Sequence, residues 1–570
     1  MKETVLLSCA CALSVGTSSA AHEHAIYESV SLDGAWEMAY RPYACESVEY
    51  PSFVGVRVEH AIPGYWEDMV PAFRAAGMKD DIAAAPFPHN PARMARLANY
   101  SDFFTSYQQG AASYESLNLG TAADLDAWGD AYCGKPRTSH EICIDSTYAD
   151  LSSERMYPAD SPIVRVGIFS GLRRLLDERG LLVRADRYFR NSCEWMRRIR
   201  KFTFEKVRAS RRTAGFDFLG DVNSHWHTFG YSVGMMDEFY RLKPGETVEN
   251  VRRYNAAEVL LCDLGSDFVF RCGEAKAVAF SLSNYADSRP PGILRVTLME
   301  KDGASVFETS LRAPRVPCGE VLPLGVVTVP FPMSATPKEF LLTATLGEGS
   351  SRVENAWEVY AFPTPGATGR ALGVRVVSDI SAEALVTAME NGERVLLLGA
   401  GPFKSLPTTF RVGLAGRCSG SYATVIEAGH PIFHDFPHEG YCGWQFRRLL
   451  EGGCAVQLEA GVPFAPVIDV ASSVKCPIRQ AALFEYRVGA GQFLVCSFAL
   501  RAEDPAASWL KARLLAYAGS ETFAPAQSLT VAQLRAVIGA PLVTGAANAN
   551  VARNPSDPSS DVRAGDAALP

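Results

Sequence analysis

Lys135-Pro136-Arg137-Thr138-Ser139-His140-Glu141-Ile142-Cys143-Ile144 decides the reading of this chain. It holds a short apolar strand at Ile142-Cys143-Ile144, and helical patterns come after it over Ile163 to Leu176 and Tyr188 to Ser210. The second of these is amphipathic, with Trp195, Ile199, Phe202 and Val207 along one side and arginines between them. A compact strand, Gly215-Phe216-Asp217-Phe218-Leu219-Gly220, comes next. Strand, helix, strand in that order is a βα unit of a parallel sheet or barrel.

Outward from this unit the texture changes on both sides. Residues 27–75 carry short strands and an Asp33-Gly34 turn, and residues 76–130 hold no lasting periodicity, broken by Pro86, Pro88 and Pro91. Downstream, residues 257–363 alternate as strands do, in Ala277 to Leu282 and in Ile293 to Leu298, which predicts a β-sandwich of immunoglobulin-like size. Its last strand holds Trp357-Glu358-Val359-Tyr360, and Pro363 to Gly366 reads as a linker. Residues 373–520 then alternate strands and helices, with Val374 to Val377, a helix near Ala382 to Glu390 and Val395 to Gly399, an open α/β domain. Residues 521–570 turn rich in Ala, Pro, Ser and Asp and read as a disordered tail. The fold class expected is multidomain, α/β plus all-β.

Composition narrows the function. The chain has 570 residues, a formal charge of -8 and no run of lysine and arginine, which excludes the footprint of a nucleic-acid binder. Residues 1–21 carry Lys2, an apolar stretch and small residues Ser18 to Ala21, the pattern of a secretory signal peptide. A lipid anchor at Cys9 is the minority alternative. No later stretch approaches the ~20 apolar residues that span a bilayer. The 14 cysteines show no CxxC pair, so they are not a zinc signature, and spacing alone assigns no disulfide.

Leu32-Asp33-Gly34 with Trp36, and then Pro63-Gly64-Tyr65-Trp66, resembles the opening of the jelly-roll sugar-binding domain of glycoside hydrolase family 2, the β-galactosidase and β-glucuronidase type. Ser139-His140-Glu141 resembles the end of the barrel strand that carries that family's nucleophile, and the two helices with Gly215 to Asp221 resemble the segment that comes after that strand. The resemblance implies a partial jelly roll over 27–75, the C-terminal part of a (β/α)8 barrel over 131–250, the sandwich, and a module over 373–520 resembling glutamine amidotransferases. That module lacks their elbow cysteine: the turn reads Gly399-Ala400-Gly401-Pro402.

By the same resemblance Glu141 is the nucleophile of a retaining hydrolysis of β-linked O-glycosidic bonds, with no cofactor and a carbohydrate substrate. Such chemistry needs a carboxylate under the anomeric carbon and an acid about 5 Å away. The family's acid comes after an asparagine, and no Asn-Glu occurs between Met69 and Glu141, which leaves Glu115 as a substitute. His140, Tyr148, Asp221, Asn223, His225, Trp226 and His227 are the expected sugar contacts, since amide and carboxylate groups bond paired hydroxyls and an indole stacks on a sugar ring. His225 and His227 are also a His-x-His, a weak metal signal without a third ligand. Asp237 and Glu238, adjacent and pointing apart, read as structural.

Length limits the expectation. A whole barrel takes roughly 250 residues, and the span from Tyr27 to Asn250 cannot hold it beside a jelly roll. The chain is therefore expected to have little or no glycosidase activity, and the alternative is a non-catalytic carbohydrate-binding or scaffold remnant. Limited proteolysis is expected to leave a fragment that begins between Asn250 and Gly273 or later.

Overall fold

The computed structural model describes residues 104–107, 121–130, 137–142, 146–158, 167–218, 220–223, 232–265, 267–366, 373–410, 421–458, 461–474 and 476–542, with β1 and β2 as backbone. The signal peptide, the jelly-roll segment, Glu115, the run His225-Trp226-His227 and the chain beyond Leu542 lie outside the described residues.

Three strands, β1 (Phe104–Tyr107), β2 (Arg137–Ile142) and β3 (Thr213–Phe218), form a parallel sheet in the order β1-β2-β3. Tyr107 pairs with His140, and Ser139 with Phe216. Helix α1 (Ala122–Asp130) lies between β1 and β2 in sequence, and α2 (Gly167–Glu178) and α3 (Ala185–Ala209) between β2 and β3. These are the crossovers that parallel pairing requires. The last strand starts two residues earlier than the apolar run predicts, because Thr213 pairs with Arg137 before the register shifts at Ala214.

Helix α3 departs from the simple amphipathic expectation. Asp186 in its first turn and Lys206 and Arg208 in its last suit the helix dipole. Yet Arg198, Arg200, Lys206 and Arg208, read as polar residues between apolar ones, are buried. The reason is that the helix is covered from three directions. Phe204 packs edge-on to Phe216 and Phe218 of β3. Toward the sandwich, Arg198 makes a two-pronged pair with Glu358 at 2.8 and 3.0 Å, and Glu205 accepts from Asn355 and the Trp357 indole. Toward the C-terminal unit, Trp195 donates to the carbonyl of Cys442.

The sandwich comprises β4 (Glu258–Asp263), β5 (Val269–Arg271), β6 (Ala275–Asn284), β7 (Gly292–Glu300), β8 (Ser305–Ala313), β9 (Glu320–Pro330), β10 (Lys338–Leu346) and β11 (Val353–Phe362). One sheet runs β4-β6-β9, the other β5-β11-β10-β7-β8. Alternation buries Val278, Phe280 and Leu282 from the first and Leu294, Val296, Leu298, Leu342 and Ala344 from the second.

The C-terminal unit is a nine-stranded mixed sheet. Strands β12 (Val374–Val377) and β13 (Arg394–Leu398) are parallel, joined through α4 (Ala382–Glu390), whose N-cap Ser381 accepts from Ala384 N. After β13 the chain turns at Gly399, whose φ of 151° and closeness to the Ser378 carbonyl (a Cβ would lie 2.8 Å from it) leave room only for glycine. Beyond come β14 (Ser405–Pro407), β15 (Ala423–Ile426), β16 (Cys454–Gln457), β17 (Ile468–Ala471), β18 (Gln480–Val488) and β19 (Gly491–Cys496). Only β12-β13-β19 run parallel, together with the short β20 (Ser528–Leu529) on β18. The pairings among β14 to β19 are antiparallel, which a wholly parallel open sheet would not have. Helix α5 (Pro505–Ala518) is capped by Asp504, which accepts from Ala506 N and Ala507 N.

The expectation of disorder from residue 521 is corrected. Strand β20 and helix α6 (Val531–Gly539) are formed there, the helix opened by a Thr530–Gln533 capping box and held by buried Leu534 and Val537. Alanine-rich composition hid two well-placed apolar side chains.

Side chains of α3 also cover the open edge of β15. Arg187 donates to Ile426 O, and Asn191 to Thr424 O at 2.7 Å. One apolar core runs from Tyr148 through Trp195 and Val359 to Phe446 and Leu514. A compact body that began at Asn250 would leave the Trp195 and Arg198 sockets empty, so the expected proteolytic boundary moves to the N-terminal side of α3.

Candidate functional site

Glu141 lies near the C-terminal end of β2, the middle strand of the parallel sheet, with His140 opposite Tyr107 of β1. The chain resumes at Ser146-Thr147-Tyr148-Ala149, all buried. Tyr148 is 1% exposed. Its amide donates to Ser192 Oγ at 2.8 Å and its ring meets Tyr188 edge-on at 5.3 Å. Burial, and then the nearby Asp469, push its phenol well above the ordinary range. The structure thus places Tyr148 in the core and not on a surface that a sugar reaches, a correction to its reading as a sugar contact.

After β3, a short ladder closes a loop at its base. Met235 N donates to Gly220 O at 2.7 Å, Met236 N to Asp221 O at 2.9 Å, and Asn223 N to Met236 O at 3.0 Å. Asn223, 9% exposed, accepts from Gly234 N at 3.1 Å through its side-chain oxygen. Gly234 is required there: a Cβ would stand 2.4 Å from Asn223 N and from Met236 O, both backbone. His225, Trp226 and His227 fall between the two paired segments in sequence and lie outside the described residues. Asp221 is exposed, and its Oδ1 accepts from Val222 N at 2.8 Å. Asp221 and Asn223 thus stand on one short ladder, while Tyr148 is buried against Tyr188 and Ser192.

Asp237 builds a turn. Its Oδ1 accepts from Phe239 N and Arg241 N at 2.8 and 3.0 Å, and Oδ2 from Arg241 Nε at 2.6 Å. The turn holds Tyr240 at a φ of 58°. A groove of about 430 Å³ opens among Leu151, Ser152, Glu154, Arg155 and Arg173, and none of the residues named from sequence lines it. Among the described residues, no group of three His, Cys, Asp or Glu side chains is placed to hold a metal, and no helix is long and apolar enough to cross a membrane.

Sequence reasoning missed Lys243, in the Lys243-Pro244-Gly245 exit from the sheet. Lys243 is 5% exposed, and its ammonium donates to Thr147 Oγ1 at 2.9 Å and to Ser232 O at 2.7 Å. Burial pulls its pKa down to about 7, opposed by Cys193. Nothing in Asp237-Glu238-Phe239-Tyr240-Arg241-Leu242-Lys243 singled it out, because the approach to the Pro-Gly turn already carries charged residues and most lysines are solvated. Nearby, Arg200, 1% exposed, pairs with Glu246.

Two family models match the chain: Domain of unknown function (DUF8488) over residues 274–363 and Domain of unknown function (DUF8487) over residues 376–539. No curated protein matches. Among solved structures, the chain is similar in part to a β-glucuronidase of Parabacteroides merdae with glycerol in its active site, at 12% identity, covering 25% of this chain and 20% of that one with a TM-score of 0.13. It is similar to β-glucuronidase 3 of Bacteroides uniformis at 15% identity over 31% and 21% of the two chains, TM-score 0.16. A family 123 glycoside hydrolase of Clostridium perfringens aligns at 8% identity over 21% and 27%, TM-score 0.12. The matched part spans about a fifth to a quarter of those chains' own length.

Proposed function

We propose that this chain is a carbohydrate-active protein of the glycoside hydrolase family 2 type, built around Glu141. The observation that carries the reading is the position of Glu141 near the C-terminal end of the central strand of a parallel sheet, with the loop closed by Asn223 and Gly234 after the next strand. In a barrel, the strand ends on that side are where reacting groups converge. In a retaining hydrolysis the Glu141 carboxylate would bond to the anomeric carbon as the glycosidic C–O bond breaks. A second carboxylic acid would protonate the departing oxygen and then draw a proton from the water that releases the sugar. Glu115 is the sequence candidate for that acid. Asp221, His225, Trp226 and His227 would contact the sugar with His140, while Tyr148 and Asn223 support the walls. The substrate would be a β-linked glycoside, and export is part of the same reading.

A second reading, a non-catalytic carbohydrate-binding remnant, is favoured by one observation: the parallel strands around Glu141 number three among the described residues, against the eight of a closed barrel. An activated aryl β-glycoside needs little protonation of its leaving group, so its hydrolysis by the whole protein beside Glu141→Gln is the sensitive test. Loss of the general acid lowers turnover of unactivated glycosides by on the order of 10² to 10⁴. The expected result is weak aryl-glycoside turnover that Glu141→Gln abolishes, with sugar affinity retained. Equal rates in both proteins refute the nucleophile, and sugar binding without turnover establishes the remnant.

A further inference from the structure

The carbonyl of Ser232 receives three donors: Thr147 N at 3.0 Å, Thr147 Oγ1 at 3.2 Å and Lys243 Nζ at 2.7 Å. Lys243 Nζ also reaches Thr147 Oγ1 at 2.9 Å. Thr147 lies a few residues beyond the strand of Glu141, and Ser232 comes five residues after His227 in sequence. One ammonium therefore joins the segment that comes after β2 to the segment that comes after β3.

Hydrogen-bond satisfaction does not require it. Without the lysine, Ser232 O would keep both Thr147 donors, and an apolar side chain of equal length would avoid taking a cation out of water. The groups that face the ammonium do not neutralise it simply. Cys193 and Arg200 come from α3, Glu246 and Asp237 from its own segment, and Glu246 is already paired with Arg200. A buried polar group that burdens stability beside a candidate site is the pattern that sites show when geometry is selected over stability.

We infer that Lys243 is a positioning residue, a clasp that fixes segment 146–149 against residues 232–236 and so sets the walls on either side of Glu141; its effect on turnover rests on the glycosidase reading above. A wall displaced by about 1 Å can lower turnover by as much as 10² without touching the reacting atoms.

The test uses Lys243→Met, close in length and volume, and Thr147→Val, which removes the bridging hydroxyl and keeps its shape, both in the full chain. Amide exchange is expected to quicken at least about tenfold at 146–149 and 232–236 in both variants, with β6 and β9 unchanged. With an aryl β-glycoside, kcat is expected to fall about tenfold or more while KM stays within about twofold. Unchanged exchange in both variants overturns the clasp. Quickened exchange with unchanged kcat, in a wild-type protein that turns over, overturns the positioning role. Should the wild type match Glu141→Gln in having no turnover, the glycosidase reading has failed on its own, and exchange still decides the clasp. If Lys243→Met does not fold, Thr147→Val carries both measurements.

Discussion

The Tyr188 hydroxyl donates to Asp469 Oδ2 at 2.6 Å, and Arg184 reaches the same oxygen at 3.2 Å, so the N-terminal end of α3 is fastened to β17 through one carboxylate. Asp469 is 1% exposed and its other oxygen has no partner among the described residues. Burial, opposed by Arg184 and Tyr188, raises its pKa to about 6.

Between roughly pH 4, where a carboxyl in an unfolded chain titrates, and pH 6, the folded protein holds a proton here that the unfolded chain has lost. Stability from this group therefore falls as pH rises through that window. Asp469→Asn keeps an acceptor for Tyr188 and cannot ionise. It is expected to be no less stable than wild type at pH 7.5, and to lack the wild type's gain on acidification, which is on the order of 2–3 kcal/mol at most. Thermal melts of both proteins at pH 5 and 7.5 check this, and parallel pH profiles count against it.

Lys243 titrates in the opposite sense. Its folded pKa of about 7 lies below the ~10.4 of a free lysine, so the unfolded chain holds the extra proton between these values and stability rises with pH. Lys243→Met is expected to raise stability at pH 7 by about 1–4 kcal/mol. The same variant should flatten the rise above pH 7, as read by urea unfolding at pH 7 and 9.

Gly234→Ala drives a methyl group against three backbone atoms, Asn223 N, Met236 O and Val222 C, none of which can move independently. Asn223→Ala leaves the buried Gly234 amide without its acceptor, at about 1–3 kcal/mol. Both variants are expected to lower the unfolding midpoint, with Asn223→Asp, which keeps an oxygen in place, close to wild type. Equal stability of Asn223→Ala and wild type would remove the proposed closure of the loop.

Digestion under native conditions is expected to leave a fragment that begins before Ala185, because Trp195, Phe202, Phe268, Phe410 and Trp444 form one aromatic cluster from three parts of the chain. Trp195→Ala, which removes the buried ring that α3 packs against Phe410, should cost about 3–5 kcal/mol and release cleavage in α3. Mass spectrometry of the fragments locates the boundary.

Strand periodicity made much of this architecture readable. Ala277 to Leu282 and Val374 to Val377 alternate or run apolar as their sheets demand, and α4 was marked by its apolar spacing. What periodicity could not show is what covers a polar residue. Arg198 and Arg200 look solvated in sequence, and only the arrival of Glu358 and Glu246 from distant segments makes their burial tolerable. Tyr148 looked like a sugar contact because of its place after Glu141, but that place is beneath Tyr188. Asn223 was readable as a polar loop residue, though not as the acceptor that closes the loop. The role proposed for Glu141 rests on local motif, and its backbone lies one residue before the end of β2.

The spine formed by α3 also fixes an order of events during synthesis. Tyr188 leaves the ribosome 281 residues ahead of Asp469, and Arg198 160 residues ahead of Glu358. Throughout that interval the helix carries arginines and aromatic rings whose partners do not yet exist. Such long-range closures slow folding and lengthen the exposure of sticky surface. Emergence of β15 to β19 of the C-terminal sheet is therefore the moment at which this helix becomes an interior one, and a chaperone that shields residues 185–209 until then would raise the yield of folded protein.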